Sequence, residues 1–132
     1  MSMKYSLLFT FCCFALVFQS CTSDNSINLG KGYFYRDEGK DIKDILCENS
    51  KGGEIPATVL AYAYDNKFII AKQRPKLPQD HLYKKDYRYT IKNNLFYWII
   101  VKENNVVFGP LNMQEYKSIR LKYKIPQKLQ LE

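Results

Sequence analysis

The chain is expected to fold as an α+β domain, an antiparallel β-meander of about four to six strands with one C-terminal helix packed on the sheet. Three observations predict this. Two pairs of β-prone runs, Ala57 to Tyr64 with Lys67 to Gln73 and Leu95 to Val101 with Val106 to Phe108, are each joined by a short polar turn, as hairpins are. One segment, after Gly109-Pro110, carries apolar residues at helical spacing behind a capping residue. Once an N-terminal leader is set aside, roughly 110 residues remain, enough for one core and too few for two domains.

The leader comes first in chain order. Lys4 precedes an apolar run from Tyr5 to Phe18, interrupted mildly by Ser6 and Thr10, which is the charge and length of a signal peptide and too short for a permanent span. Gln19-Ser20-Cys21 closes it. A small residue directly before a cysteine at the end of such a run resembles the lipobox of bacterial lipoproteins, with Phe18 and Gln19 in place of the more usual Leu and Ala or Ser. The resemblance implies that residues 1–20 are removed and that Cys21 is acylated and holds the protein to a membrane through its lipid. Polar residues from Thr22 onward make 21–31 a flexible tether to a single domain over 32–132. Ordinary secretion after cleavage nearby, and an uncleaved signal anchor, are the alternatives. Thr22, where some two-membrane bacteria carry an inner-membrane retention residue, favours the outer membrane if the host has one.

Cysteine usage agrees with lipidation. Cys12 and Cys13 leave with the leader, and an acylated Cys21 cannot pair with Cys47, so no disulfide framework is expected. Cys47, in Asp44-Ile45-Leu46-Cys47-Glu48, reads as a small apolar strand residue.

The remaining elements follow in order. Tyr33 to Arg36 is strand-prone and stopped by Asp37-Glu38-Gly39-Lys40; Ile42 to Glu48 is a second short strand, followed by an exposed loop over 49–53. In the first hairpin Asp65-Asn66 tolerates the positive φ of a tight turn, and apolar residues on both faces predict central, doubly covered strands. Leu95 to Val101 is the most apolar run left after the leader, so Trp98 or Phe96 should anchor the core, with Lys102 to Asn105 as the polar tip. Gly109-Pro110 should end the last strand. Asn112 and Glu115 form a capping box, Met113, Tyr116, Ile119 and Tyr123 an apolar stripe, and Pro126 a stop, with a loose tail from Gln127.

The formal net charge is +7, and loss of Lys4 with the leader leaves +6. Much of it gathers around the long connection from Pro75 to Asn94, where Lys76, Lys84, Lys85, Arg88 and Lys92 alternate with Tyr83, Tyr87 and Tyr89. Lys72 and Arg74 lead into it, and Asp80 and Asp86 are its acids. Bases interleaved with aromatics can hold an anionic polymer by charge and stacking. Lys72, Arg74, Lys84, Lys85, Arg88, Tyr87 and Tyr89 are therefore the candidate surface for an anionic partner, an unknown protein or polymer. The competing reading is a solvated loop with a short strand at Tyr87 to Ile91 whose tyrosines pack on the sheet, and an AT-rich genome accounts equally for the Lys, Asn, Ile and Tyr content. Nucleic acid is not expected as a partner of an exported chain.

Signals for chemistry are sparse. His81 is the single histidine, no metal-ligand spacing occurs, and no cofactor is expected. The acidic pairs Asp37-Glu38 and Asp41/Asp44 read as solvated turns, and Gly52-Gly53 lacks the strand-to-helix context of a phosphate loop. No catalytic residue is assigned. The reading is a lipid-anchored, non-enzymatic envelope binding or accessory module. A hydrolase using carboxylates or His81, and an inhibitor or immunity-like lipoprotein, are the alternatives.

Four segments also carry a family likeness: Ala61 to Gln73, Tyr97-Trp98-Ile99-Ile100, Phe108-Gly109-Pro110-Leu111 and Glu115-Tyr116. Over roughly Gly32 to Pro126 the chain resembles the family of small bacterial proteins grouped as domain of unknown function 3997, many of them lipoproteins. These motifs are structural. The resemblance implies one lipoprotein domain and assigns no catalytic residue.

Overall fold

Seven strands and one helix follow one another in a computed structural model that describes residues 25–90 and 94–132. The leader, Cys21, Ile91 and Lys92 lie outside the described residues. The strands are β1 (Ser26–Gly30), β2 (Tyr33–Asp37), β3 (Lys43–Cys47), β4 (Val59–Tyr64), β5 (Phe68–Gln73), β6 (Phe96–Val101) and β7 (Val106–Leu111), and the helix is α1 (Met113–Lys122). They form two antiparallel meanders, a three-stranded sheet β1-β2-β3 and a four-stranded sheet β4-β5-β6-β7.

The α+β class, the strand meander and the C-terminal helix on the sheet are as the sequence predicts. The strands divide between two sheets, and β1 takes up five of the eleven residues of the expected tether over 21–31. Ser26-Ile27-Asn28-Leu29-Gly30 exposes its first residues and buries Leu29, and that one leucine ties the strand to the core. Gly30-Lys31-Gly32 then turns the chain with all three φ angles positive, cheap at the two glycines.

The four-stranded sheet is the middle layer. Val59 of β4 and, from β5 and β6, Ile69, Ala71, Trp98 and Ile100 face the three-stranded sheet, where they meet Leu29, Tyr33 and Ile45, with Ile55 bridged to Ile45. The alternate residues Phe68, Ile70, Ile99 and Val101, with Leu111 of β7, face the helix side, where Tyr116, Ile125 and Leu129 pack against them. Period-two alternation thus sends each strand's side chains into two cores. The doubly covered strands are β5 and β6, paired Ile69↔Ile100, Ile70↔Ile99 and Ala71↔Trp98. The expectation that both strands of the first hairpin are central is corrected: β4 is one edge of the four-stranded sheet, and Leu60 is 42% exposed.

Three further differences concern the C-terminal part. Strand β7 continues through Gly109-Pro110 to Leu111, because Gly109 lies flat on the indole of Trp98. A Cβ there would fall 2.2 Å from a ring carbon, so the glycine is required by close approach rather than by a strand end. The capping box is formed as expected, with Glu115 N–H donating to Asn112 Oδ1 at 2.8 Å and Asn112 N–H to Glu115 Oε1 at 3.0 Å. The tail is not loose, since Ile125 and Leu129 are buried and Leu131 packs beside them. Within the helical stripe Tyr116 is buried while Met113 is 43% exposed.

The two sheets are also joined through Lys102 at the end of β6. Its Nζ is buried and donates to Leu29 O at 2.5 Å and to Asp65 O, and burial holds its pKa below the usual lysine value.

Candidate functional site

Two surfaces deserve description as sites: the connection between β5 and β6, and a groove beside α1. The connection is fastened to the protein by two buried carboxylates. Asp44 on β3 is fully buried and accepts a fork from Arg36 on β2, Nε to Oδ1 at 3.0 Å and Nη2 to Oδ2 at 2.7 Å. Tyr83 reaches in from the connection and donates its hydroxyl to Asp44 Oδ2 at 2.6 Å, while accepting from Ala57 N–H at 3.0 Å. Burial first, and then that bond to Asp44, push the Tyr83 phenol well above its usual pKa. The expectation that Asp41/Asp44 is a solvated turn is therefore corrected for Asp44, whose place opposite Arg36 in the β2–β3 register makes it a cross-strand ion pair.

Glu54 is the second fastening point and is 4% exposed. Its Oε2 accepts from Lys84 N–H at 2.7 Å, from Lys85 N–H at 3.3 Å and from the Tyr87 hydroxyl at 2.9 Å. Burial, then the bond to Glu54, raise the Tyr87 pKa well above its usual value. Gln79 closes the segment on itself, donating to Lys85 O and accepting from Tyr87 N–H.

The tyrosines of the candidate set turn inward. The Tyr87 ring meets Trp98 edge-on at 5.2 Å, and Tyr89 packs on Phe96 at 5.0 Å. Buried Gln73 donates to Pro56 O and to the Tyr89 hydroxyl and accepts from Trp98 Nε1 at 2.7 Å. Both of its amide N–H groups and its amide oxygen are thus engaged. The rings pack on the sheet without a strand over Tyr87 to Thr90. Lys84 also turns back, its Nζ donating to Ser50 O at 3.1 Å and Gly52 O at 2.9 Å. Arg74, Lys85 and Arg88 stay exposed. Among the described residues the ion pairs all involve Arg36, so no carboxylate neutralises these three.

Lys72 belongs to the other surface. It alternates with Gln73 on β5 and so faces the helix, where it lines an open groove of about 590 Å³ with Tyr97 of β6. Helix α1 contributes Met113, Tyr116, Lys117, Arg120 and Leu121, and the tail contributes Ile125, Gln127, Gln130 and Leu131. Arg120 donates to the Tyr116 hydroxyl at 2.9 Å and to Pro126 O at 3.0 Å, which fixes its guanidinium without cancelling its charge. Among the described residues no carboxylate lines the groove. Sequence reasoning did not single out this site, although Met113, Lys117, Arg120 and Leu121 share one helical face at spacings of three and four.

The residues weighed for chemistry are dispersed. His81 is exposed, Asp37 Oδ1 accepts from Gly39 N–H in a local turn, and Cys47 is a partly buried free thiol packed on the core between the sheets. Among the described residues no group of three His, Cys, Asp or Glu could hold a metal ion, and no buried side-chain polar atom lacks a partner. No helix among them is long and apolar enough to cross a membrane.

Comparison with known proteins returned no match among curated proteins and none among solved structures. A family model does match, over residues 30–132, and it spans β2 to the C-terminal tail. The chain belongs to the family described as Protein of unknown function (DUF3997).

Proposed function

We propose that this protein is a lipid-anchored envelope protein that binds, without catalysis, an anionic polymer or an acidic protein surface through the connection between β5 and β6. The observation that carries the reading is a division of labour within that connection. Its tyrosines and Lys84 are spent on fastening it to Asp44, Glu54, Trp98 and the 50–52 turn, which leaves Arg74, Lys85 and Arg88 exposed on a fixed frame with, among the described residues, no acid paired to them. A cation held on a rigid frame loses less freedom on binding than one on a mobile chain. Stacking is not part of this reading, because the rings of Tyr87 and Tyr89 are already in use.

Anchoring rests on the pattern before Cys21. Strand β1 begins at Ser26, so five peptide links separate it from Cys21 and limit its distance from an attached lipid to about 18 Å. The domain would then stand close to the membrane with little freedom to swing.

Two experiments test the reading. Palmitate labelling should be lost in Cys21→Ala, and labelling that persists removes the anchor. Capture on immobilised dextran sulfate or polyglutamate at low salt should be strong for the parent and lost in Arg74→Gln/Lys85→Gln/Arg88→Gln, whose fold is unchanged. Equal capture of the two proteins removes the binding surface.

A further inference from the structure

The groove beside α1 differs in kind from the charged connection. It joins two properties that are usually kept apart on a protein surface: exposed apolar side chains and unneutralised cations. Leu121 is 76% exposed and Met113 43% exposed, and both line it. Ile125 and Leu131 continue the apolar lining along the tail. Its ionisable lining is Lys72, Lys117, Arg120 and two tyrosines, Tyr97 and Tyr116, whose rings pack 4.9 Å apart. Burial, against weaker opposing effects from Arg120, raises the Tyr116 phenol above its usual pKa. Among the described residues, every charged side chain lining the groove is therefore positive.

An occupant complementary to this lining needs an acid at one end and an apolar body at the other. We propose that the groove binds one monomeric anionic amphiphile, a carboxylate or phosphate head joined to an unbranched acyl chain. Lys117 and Lys72 receive the head, with the fixed guanidinium of Arg120 adding field. Met113, Leu121, Ile125 and Leu131 cover the chain. A volume of about 590 Å³ falls within the range of small-molecule sites. The rim is open to solvent, so its charges supply selectivity and the chain supplies most of the affinity. The site is separate from Arg74, Lys85 and Arg88 and does not depend on the polymer-binding reading.

The test is a titration of the full chain carrying Cys21→Ser, so that no attached lipid competes. Palmitate, dodecanoate, lysophosphatidylglycerol and lysophosphatidylcholine are added below their micelle concentrations, and amide shifts and heats are recorded. Palmitate and lysophosphatidylglycerol should bind one to one and shift the amides of Lys117, Leu121 and Ile125. Each methylene removed from the chain should weaken binding by up to about fourfold. Lysophosphatidylcholine should bind at least tenfold more weakly, as should palmitate to Lys117→Glu/Leu121→Asp. Both substituted residues are exposed, so that variant should keep the parent's fold. Arg74→Gln/Lys85→Gln/Arg88→Gln should bind palmitate like the parent. Equal binding of the zwitterionic lipid, an unaffected Lys117→Glu/Leu121→Asp variant, shifts centred elsewhere, or binding only to phosphatidylglycerol vesicles would each overturn the proposal.

Discussion

The two faces of the four-stranded sheet are covered by different physics. On the face toward β1-β2-β3, apolar packing is supplemented by buried polar groups, each with named partners: Asp44 with Arg36 and Tyr83, Glu54 with Tyr87 and two backbone amides, Gln73 with Trp98 and Tyr89. On the face toward α1, the contacts are mainly apolar, and Arg120 is the main polar tie. Directional bonds select one arrangement of the covering segment and leave little room, so the basic connection is fixed. Apolar packing is less specific about geometry. On that side it leaves an open groove.

The difference can be broken or sharpened by substitution, beginning with the largest effect. Asp44→Ala strips the acceptor from a guanidinium and a phenol that stay partly buried, and should cost about 3–5 kcal/mol in urea unfolding. A cost near zero would mean that water replaces the carboxylate and the clamp is not structural. On the opposite face, Leu129→Ala should cost about 2–3 kcal/mol, at the low end for a buried leucine because the tail can close around the gap. Gly109→Ala should cost about 1–3 kcal/mol by driving a methyl into the Trp98 ring.

The polar face should also fail first in alkali. Tyr83 and Tyr87 have folded pKa values raised above the ordinary 10.0, so the folded state keeps phenol protons that the unfolded state gives up. Their contribution is full below pH 10 and is lost as pH rises above it. Tyr83→Phe/Tyr87→Phe should be less stable than the parent at neutral pH and should show a shallower decline between pH 10 and 12. An identical slope would place the alkaline transition elsewhere. The smallest effect is expected at Lys85→Ala, within about 0.5 kcal/mol, since its side chain is exposed and, among the described residues, in no ion pair.

Much of this fold could be read from the sequence where local pattern and tertiary demand agree. The two hairpins of the central sheet and the Asn112–Glu115 cap are such places. Strand β1 was not legible because only Leu29 in it is buried, and one leucine between polar residues carries no periodicity. The tail after Pro126 has the same difficulty, since Leu129 and Leu131 acquire meaning only once the groove side of the sheet exists to receive them. The Arg36–Asp44 pair becomes readable as soon as β2 and β3 are put in register. Glu54 has no such signal, because its partners lie about thirty residues away in a segment without regular structure. The basic and aromatic residues of the connection were visible as a group. Which of them face solvent depended on the carboxylates beneath them.

The central claim is that the connection between β5 and β6 is a fixed frame held by buried Glu54 and Asp44. Amide hydrogen exchange resolved to single residues tests it most directly. The amides of Lys84 and Tyr87 should be protected in the parent and should lose that protection in Glu54→Ala, while the amides of β6 keep theirs. Exchange of Lys84 and Tyr87 in the parent at the rate of an unstructured peptide would contradict the account.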